Sequence, residues 1–545
     1  MPEYSRTKHT LRVRALGVTI ALIVAVGLMV SGTQSNKASA QSVDDAALQT
    51  ALLQSYFISV DNFAGPVMMG GMGTPLVPTM IPPDEIMAMM TQMGQMANFD
   101  PATMPANPGM LAAIYSSGEP ALPAGVTPDP MDFGTMRWDP ASFDTNIATR
   151  DQAMLIMKFV EWAKFFHKGF DGENILFPTP EMEAFLSLMF TAQAMMVSNF
   201  TGQNLMAENG FITSINMDGG ARTVVNDTAN PFDQAAMLWA LSDLMLTLND
   251  MENYPILGAL AQQVASPEMM ESMMGMWDKT FEMVKANPTT DPKDAGLAIV
   301  SLVWCAAAKG DMAPLEEIIS AVDGIASGLG TSETTAFEKS ASIRGLLEAW
   351  RLTGNEEYLN TATSLWADLD GMWDDNAKTY ATIAGASSYT YTPWDVGLVL
   401  GALSEVITVR GDGIGSDVKE LATNRYLDFQ TGTIVGSGFI HLPVPTPGRT
   451  GLFVSEASYD VAAGEWTVTD TRYNAAGSQY AANEMIWLEG ALQGRQTGYP
   501  ALPSLPVTPP SVGDAALSLQ LMAGIGVIGL LLIGSGGLLI ARRRV

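Results

Sequence analysis

Between Arg150 and Arg495 apolar residues recur at three- and four-residue spacing, in runs broken at Gly, Pro, Asn and Asp. That spacing is the period of a helix with one buried face, and those breaks are where helices start and stop. The pattern predicts helices over 151–168, 181–199, 231–249, 268–286, 292–309, 313–328, 334–353, 356–371, 393–410, 415–430 and 478–495, with 254–264 or a segment near the N-terminus as a twelfth. Two stretches read differently. Residues 433–470 alternate apolar and polar positions between Pro, Gly and Asp, which predicts a small β insertion. Residues 61–145, rich in Pro, Gly and Met with a short helix at 84–96, read as an irregular arm wrapped round the rest.

Alternate helices share a beginning. Asp151, Asp233, Asp294, Glu338, Asp395 and Glu484 each open a run of small and apolar residues. Self-similarity at this period points to stacked helical hairpins, and six hairpins close into a toroid with one ring of helices inside another. Small residues suit a crowded inner ring; the more amphipathic intervening helices, of which 356–366 is the clearest, suit an outer ring.

Over about 345 residues this alternation, with the segment Thr353-Gly-Asn-Glu-Glu-Tyr-Leu through Tyr380, resembles the six-hairpin glycosidase-like superfamily, the (α/α)6 toroids. The resemblance implies a cleft at one end of the toroid, lined by the loops that enter the inner helices, and in many relatives a carbohydrate substrate. Fold alone does not transfer chemistry. The expected fold class is mostly α: an (α/α)6 toroid over 151–498 with a β insertion at 433–470, preceded by a Met/Pro/Gly-rich arm over 41–150.

The two ends read as export and anchoring signals. A basic start (Arg6, Lys8, Arg12, Arg14), an apolar run over 15–30 and Ala38-Ser39-Ala40 form a signal peptide over 1–40. Residues 515–541 are uncharged and apolar or small, and end in Arg542-Arg543-Arg544, which predicts a C-terminal transmembrane helix with a cytoplasmic basic tail over 542–545. A Pro-rich linker over 499–514 would hold the domain off the membrane. This order resembles prokaryotic surface-sorting signals, but Leu505-Pro-Val-Thr-Pro509 has Pro509 where the sortase pentapeptide has glycine, so a membrane anchor is the reading kept. The expected location is extracytoplasmic, at the cell surface.

Charge then narrows the partners. Without the two ends, 20 basic face 56 acidic side chains, a balance that repels nucleic acid. Cys305 is the only cysteine, and His167 and His441 are the only histidines past the signal. Those counts exclude an intramolecular disulfide, cysteine zinc sites and multi-histidine metal centres.

The candidate chemistry lies in acids and aromatics. Carboxyls gathered at one mouth could supply the acid and base of glycoside hydrolysis, although first-turn acids also stabilise helices by capping and by the helix dipole. Asp233, Asp374, Asp375 and Asp395 are the candidate catalytic residues. Trp373, Tyr380, Tyr391, Trp394, Glu338, Glu484 and His441 are the candidate substrate contacts, because sugars need flat aromatic faces and carboxylates for their hydroxyls. The alternative for Trp373-Asp374-Asp375 is a solvated turn or a calcium ligand set; no other cofactor is expected. The leading reading is a toroid that binds or hydrolyses extracellular glycan. The alternatives are a scaffold for envelope protein partners and copper handling by the 36 methionines.

Overall fold

The computed structural model describes residues 45–75, 82–104, 107, 109, 111–129, 132–168, 179–264, 267–310, 314–409, 416–441 and 451–492. The expected signal peptide, linker, transmembrane helix and basic tail lie outside them. Among the described residues no helix is long and apolar enough to cross a membrane.

The α-helices in chain order are α1 (Asp45–Phe63), α2 (Pro83–Ala97), α3 (Thr149–Lys168), α4 (Pro180–Leu205), α5 (Pro231–Asn249), α6 (Pro255–Val264), α7 (Pro267–Ala286), α8 (Pro292–Lys309), α9 (Leu315–Ala326), α10 (Ala336–Thr353), α11 (Glu356–Asp370), α12 (Pro393–Val409), α13 (Ser416–Phe429) and α14 (Ala475–Leu492). Their packing closes a circuit. α3 packs on α5, α5 on α8, α8 on α10, α10 on α12, α12 on α14, and α14 returns to α3. Outside this ring α4, α7, α9, α11 and α13 each cover the inner helix before them, and α1 covers α14. The chain is therefore an (α/α)6 toroid, as the alternation predicts.

Sequence explains which helix goes where. Every residue of α5 from Phe232 to Met245 is buried, so that helix has no solvent face. In α7 only Met273, Met276, Trp277, Thr280, Phe281 and Val284 are buried, the stripe of a helix with one wet side. Inner helices touch through glycine. A Cβ on Gly296 of α8 would overlap the Ala341 carbonyl oxygen of α10, and one on Gly345 would lie 2.7 Å from the Gly296 Cα. On α12 the space beside Gly397 is filled by the Tyr480 ring and that beside Gly401 by the Arg344 guanidinium.

Three expectations change. The arm over 41–150 begins as part of the toroid itself: α1 is the twelfth helix, tied to α13 by Ser55 and the Tyr426 hydroxyl (2.9 Å) and to α14 by Ser59, which donates to the Ala482 carbonyl (2.8 Å). Residues 433–435, expected as strand, continue α13 as one wide π turn, because Phe429, Gln430, Thr433 and Ile434 are buried at helical spacing. The sheet proper pairs Ser388–Tyr391 with Glu456–Asp460, and Glu456–Asp460 with Glu465–Asp470, all antiparallel. Glu484 does not open a helix; it stands in the middle of α14.

Two glycine substitutions test the ring contacts. Gly345→Val should lower stability by on the order of 3 kcal/mol, because backbone faces backbone there and neither can move aside. Gly324→Ala, in an outer helix with nothing within 4 Å, should raise it by about 1 kcal/mol. Urea unfolding midpoints check both.

Candidate functional site

All inner helices run the same way, so their first turns share one mouth. Several start with proline after a capping residue: the Asn230 side chain accepts from the Phe232 amide (2.8 Å), and the Asp291 side chain from the Lys293 amide (3.0 Å). Thr335 and Glu338 form a capping box on α10, and Thr392 and Asp395 exchange the same pair of bonds on α12. Capping therefore accounts for Glu338 and for one oxygen of Asp395. Asp151 likewise accepts the Ala148 amide ahead of α3 (3.3 Å), but capping does not account for Asp233 and Asp294, which with Asp151 surround Arg150.

Arg150 is the residue that sequence reasoning missed. Its Nε donates to Asp233 Oδ1 at 2.9 Å, and its guanidinium lies 4.9 Å from the Phe232 ring centre. Two helices on, the ammonium of Lys293 pairs with Asp395 Oδ1 (3.3 Å) and lies 5.0 Å from the Phe337 ring centre. The residues immediately before the five first-turn acids are Arg150, Phe232, Lys293, Phe337 and Trp394, so each cation rests on the aromatic ring of a neighbouring helix. That alternation of basic and aromatic residues was the available signal.

Burial sets the protonation of this cluster. It pushes Asp151 up to about 6, against the Ser116 hydroxyl (2.6 Å), the Ala148 amide and Arg150. Burial likewise raises Asp233, with Arg150 opposing. Asp294 is pushed up to about 6 by burial, again opposed by Arg150. Asp294 is half-buried and makes no hydrogen bond among the described residues. Beside the cluster, half-buried Trp394 meets Phe232 edge-on at 5.5 Å and Tyr480 at 4.5 Å.

Other expected site residues lie elsewhere or have other duties. Trp373–Asp374 pairs with Thr379–Tyr380 in a hairpin after α11. Burial works against ionisation of Asp374, yet the amides of Asn376 (2.8 Å) and Ala377 (3.2 Å) and the Tyr389 hydroxyl (2.9 Å) together hold its carboxyl below the usual range. Asp375 is exposed and accepts from Trp373 Nε1 at 3.0 Å, while Arg425 covers the Trp373 ring at 4.6 Å. These two acids hold their own turn. Tyr380 and Tyr391 are fully buried, the Tyr391 hydroxyl donating to the Tyr380 carbonyl (2.8 Å), and so present no face to a ligand. Glu484 is fully buried and paired with Arg344. His441 pairs through its backbone with Leu452.

Two surface hollows lie away from the mouth. One of about 770 Å³ is lined by Met87, Thr91, Gln95 and Gln263 of α2 and α6, and one of about 520 Å³ lies between α7 and α9. Of the methionines, Met68, Met69, Met72, Met90 and Met93 are buried core. Among the described residues no group of three or more His, Cys, Asp or Glu is placed to hold a metal ion.

No protein-family model and no curated protein matches the chain. Similar solved structures include D-mannose isomerase, 11% identical over 76% of this chain and 98% of that one with a TM-score of 0.43. Others are the cellobiose 2-epimerase of Bacillus thermoamylovorans (10%, 70% and 92%, 0.44) and a cellulase of C. cellulolyticum (10%, 82% and 98%, 0.43). The fold assignment rests on the closed circuit of helix contacts: six hairpins in a double ring make this chain an (α/α)6 toroid.

Proposed function

We propose that this chain binds or hydrolyses extracellular glycan at the mouth of its toroid, held at the cell surface by the hydrophobic segment at 515–541. One observation carries the reading: Asp294 is a half-buried carboxyl without a hydrogen-bond partner among the described residues, raised to about 6 beside Arg150, Asp233 and Lys293. A group that titrates near operating pH is what general acid or base catalysis requires. In this reading Asp294 gives or takes the proton, while Asp233, fully buried and paired with Arg150, holds that guanidinium beside it. Trp394 supplies the flat face for a sugar ring, and Asp395 with Lys293 supplies groups for its hydroxyls.

A scaffold for envelope proteins is the second reading, and one observation favours it. Ser117–Gly118 pairs with Tyr473–Asn474 at the entrance of α14, and Ser116 donates to Asp151, so an N-terminal strand covers that side of the mouth.

A panel of polysaccharides offered to the full-length chain separates the two. Asp294→Asn should lower turnover by roughly 100-fold or more; unchanged turnover would remove Asp294 from the mechanism, and no binding to any glycan would favour the scaffold. If Asp294 acts as the acid, the rate should fall as pH rises through about 6, since only the protonated form serves. Arg150 opposes protonation of Asp294, so Arg150→Met should move that fall to higher pH. The double variant Asp374→Asn, Asp375→Asn should lose stability while keeping turnover, measured on the same substrate.

A further inference from the structure

The barrel axis carries a second set of acids. The thirteenth residues of the six inner helices are, in ring order, Glu161, Asp243, Trp304, Glu348, Glu405 and Trp487. They stand in one layer, about 18 Å below the helix starts at 1.5 Å per residue. Glu161 is 1% exposed, and Asp243, Glu348 and Glu405 are 0% exposed.

These four acids group in twos. Glu161 and Asp243 share the Lys164 ammonium, and Glu348 and Glu405 stand at the same level of the neighbouring helices α10 and α12, where the Glu348 charge raises the cost of ionising Glu405. Arg351 occupies Glu348 Oε2, which leaves Glu348 Oε1 and both oxygens of Glu405 with no N–H or hydroxyl donor among the described residues. Lys164 sits against Glu161 and against Asp243 Oδ1 (3.0 Å), which leaves Asp243 Oδ2 likewise. Two ionised carboxylates are acceptors only, so neither pair can bond unless one member keeps a proton.

Charge balance gives the same number. The ionisable groups facing the axis are Glu161 and Lys164 from α3, Asp243 from α5, Arg344, Glu348 and Arg351 from α10, Glu405 from α12 and Glu484 from α14. Tyr254, Cys305 and Tyr480 stand beside them. Lys158 points outward, to the Ser59 hydroxyl on α1. Five carboxyls thus meet three cations, and two protons close the difference.

We propose that this layer holds two protons at neutral pH, one on Glu405 shared with Glu348 and one on Asp243 shared with Glu161, and that alkali loosens the toroid by removing them. Burial, then the neighbouring Glu348 charge, raises Glu405; burial raises Asp243, against Lys164. Acids that keep a proton when folded and lose it when unfolded contribute stability that is full at low pH and lost as pH rises through the folded-state titration. Lys158, lowered by burial, contributes with the opposite sign. The readout is therefore a difference between variants.

The test uses the full-length chain and its Glu405→Gln, Asp243→Asn and double variants, with Tm measured from about pH 6 to about pH 9. An amide donates the missing hydrogen bond and has no proton to lose. The Tm of each variant relative to wild type should rise with pH, by roughly 2 °C or more across the range and most for the double variant. A relative Tm that does not change with pH would overturn the proposal. If a variant does not fold, infrared spectra of the wild-type chain at about pH 8 decide: a protonated-carboxyl C=O band that disappears at higher pH supports the shared protons, and absence of that band overturns them.

Discussion

Close contact between inner helices is the constraint on which the rest depends. Gly296 and Gly345 let α8 and α10 approach backbone to backbone, and Gly397 and Gly401 leave room for the Tyr480 ring and the Arg344 guanidinium. A ring drawn in this tightly brings six helix starts into one mouth. Any larger residue at those contacts would force the inner helices apart where they touch.

The same closeness creates the chemistry. A first-turn aspartate on an isolated helix would be solvated and ionised, stabilised modestly by the dipole. Packed against Arg150 and Phe232 and drawn wholly or partly out of water, Asp151, Asp233 and Asp294 are all raised. Deeper in the barrel the side chains are all but fully buried: Arg344, between the rings of Trp239 (4.9 Å) and Trp487 (5.5 Å), pairs with Glu484, and burial still raises Glu484 to about 7. Burial thus makes two sets of titratable carboxyls, one half-open at the mouth and one closed at the axis.

Helix limits were legible because they are local events. Asn230-Pro231, Asp291-Pro292 and Thr392-Pro393 are start signals, and the helices following them begin at 231, 292 and 393 as the pattern predicts. The pattern left the twelfth helix open between 254–264 and a segment near the N-terminus; contact with Tyr426 and Ala482, hundreds of residues away, decides for α1. The aromatic and acidic string around Trp373 was visible, and residue types suited to a sugar site are equally suited to a hairpin in which Asp374 accepts its own turn amides.

The sequence by itself determined the period, the alternation of crowded and amphipathic helices, and the acids in the first turns, because these follow from spacing and from capping within a few residues. Which of those acids are used up in capping was decided only by the tertiary structure. Asp294 and Glu338 occupy equivalent first turns, yet one stands half-buried without a hydrogen bond among the described residues and the other closes a capping box. Protonation depends on water exclusion and on charges brought from other helices, and neither is a property of a short stretch of chain.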